Sequence, residues 1–151
     1  MRFETFEEIM SYAIQKEKEA ASFYEGLSKQ GKSIGAQETF LDFAKEEHRH
    51  KEMLENFTRE SAVEYRLEKI PDLKRSDYIV DIEYEPGMPY VDMLRLAMKR
   101  EEKSLKFYTD LSVKISKEEH KKLFQVLGQE EAKHKLKLET LLDDYLAEIG
   151  D

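Results

Sequence analysis

The chain has 151 residues, enough for one ordinary domain with a single sizeable core. Charged residues make up 38% of it and hydrophobic residues 40%, with only three prolines and six glycines, a balance that suits long amphipathic helices and points to an all-α fold. A formal charge of −8 argues against nucleic acid as a partner, and the absence of cysteine excludes disulfides, thiolate catalysis and cysteine-ligated zinc or iron–sulfur sites.

The N-terminal stretch MRFETFEEIM carries no apolar core of signal-peptide length, and no run approaches the roughly 18 apolar residues of a membrane span. A cytoplasmic protein with no membrane partner is the expectation. Thr5-Phe6-Glu7-Glu8 fits a capping box, in which a hydroxyl and a glutamate satisfy opposite free N–H groups at a helix start. The first helix then carries a core seam of Phe6, Met10, Ala13, Glu17, Ala20, Tyr24 and Leu27. Gly31 and Gly35 mark a turn, and the second helix follows with Phe40, Phe43, Glu47, His50, Leu54 and Phe57. Residues 61–88, with Pro71, Pro86 and Gly87, read as one long connection, in which YIVDIEY (78–84) alternates and suits an extended run along the bundle surface. The third helix has a seam of Leu94, Ala97, Glu101, Ser104, Tyr108, Leu111 and Ile115. A second capping box, Ser116-Lys117-Glu118-Glu119, opens a last helix along Phe124, Leu127, Glu131, His134, Leu138, Leu141 and Tyr145.

These elements repeat. AIQKEKEAASFYEGLS (13–28) matches AMKREEKSLKFYTDLS (97–112) without a gap, and FAKEEHRHKEMLENF matches LGQEEAKHKLKLETL at the same offset of 84 residues, since 97 − 13 = 131 − 47 = 84. Glu17 pairs with Glu101, Tyr24 with Tyr108, Glu47 with Glu131 and His50 with His134. A duplicated two-helix hairpin explains both matches. The expected fold is a ferritin-like four-helix bundle of two antiparallel hairpins, about residues 4–60 and 89–149 of a single domain, joined by the crossover at 61–88.

Each seam carries a glutamate near its midpoint. Four carboxylates in a bundle core would repel one another and lose their hydration, so something must neutralise them. No lysine or arginine shares their layer of the seams. A glutamate and a histidine three residues apart share one helix face, and two such helices, with one glutamate from each of two others, give the ligand set of a carboxylate-bridged two-metal centre. Two divalent ions balance four ionised glutamates with neutral imidazoles. The candidate ligands are Glu17, Glu47, His50, Glu101, Glu131 and His134. Oxygen and nitrogen donors without thiolate suit iron or manganese, with zinc as a further possibility. Tyr24 and Tyr108 lie two turns beyond Glu17 and Glu101, where a phenol either orients a ligand carboxylate or simply packs. Glu46 and Glu130 fall just off the seam, which suits outer positions. His48 faces Ala132 in the repeat and His120 has no histidine counterpart, so both are expected on the surface.

KEKEAASFY, EHRH, EEKSLKFY and EAKH, holding these glutamates, tyrosines and histidines, resemble the di-iron domain of the rubrerythrin family within the ferritin-like superfamily. The resemblance spans all four helices. It implies a di-iron centre that reduces hydrogen peroxide or dioxygen or oxidises ferrous iron, with the glutamates bridging or ending the two iron ions and each histidine ending one. It also implies a homodimer, in some members with exchanged hairpins. Family members often carry a cysteine-ligated rubredoxin module, so here an external donor such as a rubredoxin-like protein is expected to supply electrons. Ser104 stands where the family commonly has an extra glutamate. Ferritin-like iron storage and a metal-bound structural protein without turnover are the alternatives.

Overall fold

The computed structural model describes the backbone of residues 2–65, 71–82, 84, 85 and 87–150, and the side chains of these residues except 62–65. The chain is all-α: α1 spans Phe6–Ser28, α2 Ile34–Tyr65, α3 Tyr90–Lys114 and α4 Glu118–Ile149, with a 3-10 turn at Arg75–Tyr78. No helix is long and apolar enough to cross a membrane. The helix limits themselves repeat at the offset read from the sequence, for 90 − 6, 118 − 34 and 149 − 65 all equal 84. The chain divides into two compact units, Met1–Lys74 and Arg75–Asp151, each containing one hairpin.

In the first unit, Thr5 is the N-cap of α1, and its hydroxyl accepts from the N–H of Glu8 at 3.1 Å. The Glu8 carboxylate accepts in turn from the N–H of Glu4 at 2.9 Å, one residue earlier than an ideal capping box. The Ser33 hydroxyl accepts from the N–H of Ala36 at 3.0 Å and opens α2. Between them a Cβ at Gly31 would lie 2.8 Å from Gln37 Cγ and 3.0 Å from its backbone nitrogen, so the tight turn requires glycine. The helices run antiparallel, because low numbers in α1 meet high numbers in α2. Phe6 packs on Phe57 with ring centroids 6.2 Å apart, while Tyr24 meets Phe40 at 6.5 Å and Phe43 at 5.2 Å. Ile9, Met10, Ala13, Leu27, Phe40 and Leu54 fill the core between them. The stretch before the unit boundary is fastened here too, with the N–H of Phe3 donating to Leu73 O at 3.2 Å and an isolated bridge pairing Arg2 with Lys74.

The second unit repeats the plan. Tyr90 meets Tyr145 at 4.9 Å and Tyr108 stacks on Phe124 at 6.3 Å, so α3 and α4 are also antiparallel. Leu94, Leu96, Ala97, Leu111, Phe124, Leu127 and Leu138 are buried around them.

Three expectations change. The second helix continues past residue 60 to Tyr65. The N-cap of α4 is Lys117, which makes no side-chain capping bond, rather than Ser116. Buried Ile115 accounts for this: it ends α3 in an extended conformation and fixes a short loop, so helical geometry resumes one residue late. Of residues 78–84, expected to run extended, the first departs. Tyr78 instead closes the 3-10 turn and is drawn onto α3, its hydroxyl donating to Asp110 Oδ2 at 2.8 Å and its ring meeting Phe107 edge-on at 5.1 Å. Ile79, Ile82 and Tyr84 stay exposed.

Candidate metal centre

The apolar seams decide which charged groups go inside. Phe43 and Leu54 are buried on α2, and the positions that complete their 3-4 spacing are Glu47 and His50. Phe124, Leu127 and Leu138 do the same on α4 for Glu131 and His134, while Met10 and Ala13, and Leu94 and Ala97, carry Glu17 and Glu101 inward on α1 and α3. All six candidate ligands are 0–3% exposed. A carboxylate in such a place is strongly unfavourable unless ionic partners surround it.

Within the first hairpin, one donor atom each from Glu17, Glu47 and His50 lie within 4.8 Å of one another. His50 Nδ1 is 3.5 Å from Glu17 Oε2 and 3.6 Å from Glu47 Oε1. Within the second, Glu101, Glu131 and His134 likewise bring one donor atom each within 4.8 Å, and His134 Nδ1 is 3.4 Å from Glu101 Oε1. Each hairpin thus gathers two carboxylates and an imidazole, and in each the nitrogen turned to the carboxylates is Nδ1. Glu17 Oε2, Glu47 Oε1, His50 Nδ1, Glu101 Oε2, Glu131 Oε1 and His134 Nδ1 are buried and make no hydrogen bond to the described residues.

This donor set fits a divalent ion. Nitrogen and oxygen donors sit about 2.1 Å from such an ion, so donors 3.4–3.6 Å apart would subtend about 110–120° at a shared centre, an ordinary ligand angle. Two hard oxygens with one borderline nitrogen match iron, manganese or zinc rather than a thiophilic metal.

The neighbours sort as follows. Tyr24 and Tyr108 are buried, stacked on Phe40 and Phe124, and lie two turns, about 10.5 Å along the axis, from Glu17 and Glu101. Glu46 and Glu130 are half-buried and belong to neither cluster, as their off-seam phase implies. His48 is exposed, with Nε2 2.9 Å from Glu25 Oε1. His120 departs from expectation: it is buried. The signal was there, since His120, Phe124 and Leu127 keep the 4-3 step and extend the α4 seam backwards by one turn. Ser104 is half-buried on α3, one turn beyond Glu101.

A comparison with curated proteins finds no match. Among solved structures, the chain is similar to a hypothetical protein from Pyrococcus furiosus, with 28% identity and a TM-score of 0.70 over 92% of this chain and 90% of that one. The family model described as rubrerythrin matches residues 8–142, a stretch that contains all six buried ligands, both tyrosines and all four helices in whole or in large part. The chain therefore belongs to the rubrerythrin family.

Proposed function

We propose that the two ligand sets work together as one di-iron centre, and that the protein is an oxidoreductase that reduces hydrogen peroxide or dioxygen, oxidises ferrous iron, or does both. The observation that carries this reading is the duplicated, buried set of two glutamates and one histidine, in the same register on both hairpins. Four glutamates carry four negative charges and two divalent ions four positive ones, so the core closes neutral with both imidazoles uncharged.

Bound iron supplies Lewis acidity and a one-electron change at each ion. The chain's own residues do the rest. Glu17, Glu47, Glu101 and Glu131, with His50 and His134, would hold the two ions. Tyr24 and Tyr108 steady the ligand helices by stacking, and their phenol groups support a ligand carboxylate. The surrounding Phe40, Phe43, Leu54, Phe124, Leu127 and Leu138 exclude bulk water, which strengthens every charge interaction at the site. An external donor such as a rubredoxin-like protein returns electrons, and the working form is a homodimer, with hairpin exchange permitted by the long connection.

Ferritin-like iron handling is the second reading. Ser104, in place of the extra glutamate, favours it, because the third helix then offers one carboxylate rather than two. Iron-loaded protein reduced anaerobically and then mixed with peroxide tests the main reading. Rapid reoxidation in the absorbance spectrum is expected, and its absence refutes peroxide chemistry. Ferrous iron with dioxygen alone, followed by release or retention of ferric iron, separates the second reading.

A further inference from the structure

We infer that Tyr78 is a reserve one-electron donor to the metal centre, linked towards it by the rings of Phe107 and Tyr108 and paired with Asp110 as the acceptor of its phenol proton. This inference rests on the iron and peroxide reading above. It adds where a second electron comes from when the two ions hold only one between them.

The proton acceptor comes first. A phenol that loses an electron becomes a strong acid, so a tyrosine gives up its electron readily only where a base already holds its proton. Tyr78 meets that condition, since it is buried and its hydroxyl donates to Asp110 Oδ2 at 2.8 Å. The Lys106 ammonium donates to the same oxygen at 2.9 Å and lies 5.4 Å from the centre of the Tyr78 ring. A cation over the ring disfavours a second positive charge there, so the electron and the proton leave together and a neutral phenoxyl radical remains. The Asp110 side chain is 32% exposed, which gives the proton an exit to solvent.

The path comes second. The Tyr78 ring meets Phe107 edge-on at 5.1 Å, Phe107 lies 5.4 Å from Tyr108, and Tyr108 stacks on Phe124 at 6.3 Å. All four rings are buried. Tyr108 and Phe124 each stand two turns, about 10.5 Å of helix, from the ligands Glu101 and Glu131, a span that an electron crosses by tunnelling through packed side chains.

The repeat sets the acid apart from ordinary bundle packing. Phe23 and Tyr24 hold the places of Phe107 and Tyr108 in the first hairpin, with ring centroids 5.6 Å apart. Ser22 and Gly26 stand there where the second hairpin has Lys106 and Asp110. The rings recur with the fold, whereas the carboxylate and the ammonium do not.

Electron counting supplies the use. Hydrogen peroxide takes two electrons and two protons to become two waters. Two ferrous ions give both electrons, but a single ferrous ion gives one, and peroxide split by one electron releases a hydroxyl radical. With Tyr78 the second electron comes from the phenol, its proton passes to Asp110, the other proton comes from solvent, and both oxygens leave as water. A one-electron protein donor, with the proton returned by Asp110, then restores the phenol.

Iron-loaded full chain, reduced anaerobically by one electron per chain, mixed with peroxide and freeze-quenched for electron paramagnetic resonance, tests this; ring-deuterated tyrosine identifies the signal. A tyrosyl radical is expected. It should be lost in Tyr78→Phe, which keeps a ring against Phe107, and in Asp110→Asn, which keeps the phenol and removes the base. Circular dichroism checks both folds, and Asp110→Asn decides alone should Tyr78→Phe misfold. A radical that persists in Tyr78→Phe overturns the inference, and one that persists in Asp110→Asn overturns the assigned proton acceptor. Wild type that reoxidises by absorbance without a tyrosyl radical removes the reserve donor and leaves the peroxide reading intact. No reoxidation at all removes both.

Discussion

Removing metal from this protein should lower its melting temperature, by an amount that can be worked from the clusters. In the first hairpin the donor atoms of Glu17 and Glu47 lie within 4.8 Å; two unit charges at that distance repel by about 3.5 kcal/mol at an effective dielectric of about 20. The second hairpin carries the same burden on Glu101 and Glu131. Without metal, protons or a charged imidazole must relieve it. With metal, each ion present at one hundred times its dissociation constant stabilises the folded state by about 2.7 kcal/mol, so two give about 5.4 kcal/mol. For a chain of this size 1 kcal/mol moves the melting temperature by about 2–4 °C, and loading should therefore raise it by about 11–22 °C. The assay is far-ultraviolet circular dichroism on chelator-treated protein, with and without saturating ferrous iron under anaerobic conditions, and manganese as a redox-inert control. A rise below about 2 °C, at most about 1 kcal/mol, would refute the reasoning, since it would mean that the buried carboxylates are already neutralised without a cation.

Three further outcomes are expected. Glu47→Ala and Glu131→Ala should each lower the iron or manganese retained after dialysis, measured by elemental analysis; unchanged content in both would remove these residues from the centre. Phe40→Ala, which opens a cavity under Tyr24, should cost about 3–5 kcal/mol in urea denaturation, whereas His48→Ala, at an exposed pair with Glu25, should stay within about 0.5 kcal/mol. Thr5→Ala should cost about 1 kcal/mol through loss of the cap on Glu8 N–H, measured by urea denaturation.

The seams were the legible part of the sequence. Phe43 and Leu54 select Glu47 over Glu46 because a helix face admits one phase only, and the burial of Glu47 beside a half-buried Glu46 follows that phase. Local hydroxyl-and-acid patterns were less dependable. Thr5 and Ser116 open the same four-residue motif, yet Thr5 is the N-cap of its helix while that of α4 is Lys117, since Ile115 is held in the core just before Ser116 and sets the loop geometry. Alternation at 78–84 gave no sign that Tyr78 closes a 3-10 turn, because its contacts with Asp110 and Phe107 are tertiary. His120 was misjudged by its residue type, although its spacing from Phe124 placed it inward. Seam drift also moved single positions: Ala21 and Leu142 are buried where Ala20 and Leu141 had the simpler spacing, because 3.6 residues per turn is not 3.5.

Both hairpins reach their ligands after the same number of residues, yet α1 ends at Ser28 and α3 at Lys114, two positions later than the offset would place it. The longer helix is matched by a shorter turn, three residues at 115–117 against five at 29–33. Length is therefore conserved between the copies where conformation is not. An insertion or deletion in the turn has room to be absorbed, as this trade between helix and loop illustrates. One residue added inside α4 between Phe124 and Glu131 has no such outlet: it would turn the ligand pair by about 100° relative to the aromatic anchor and carry both ligands out of the core.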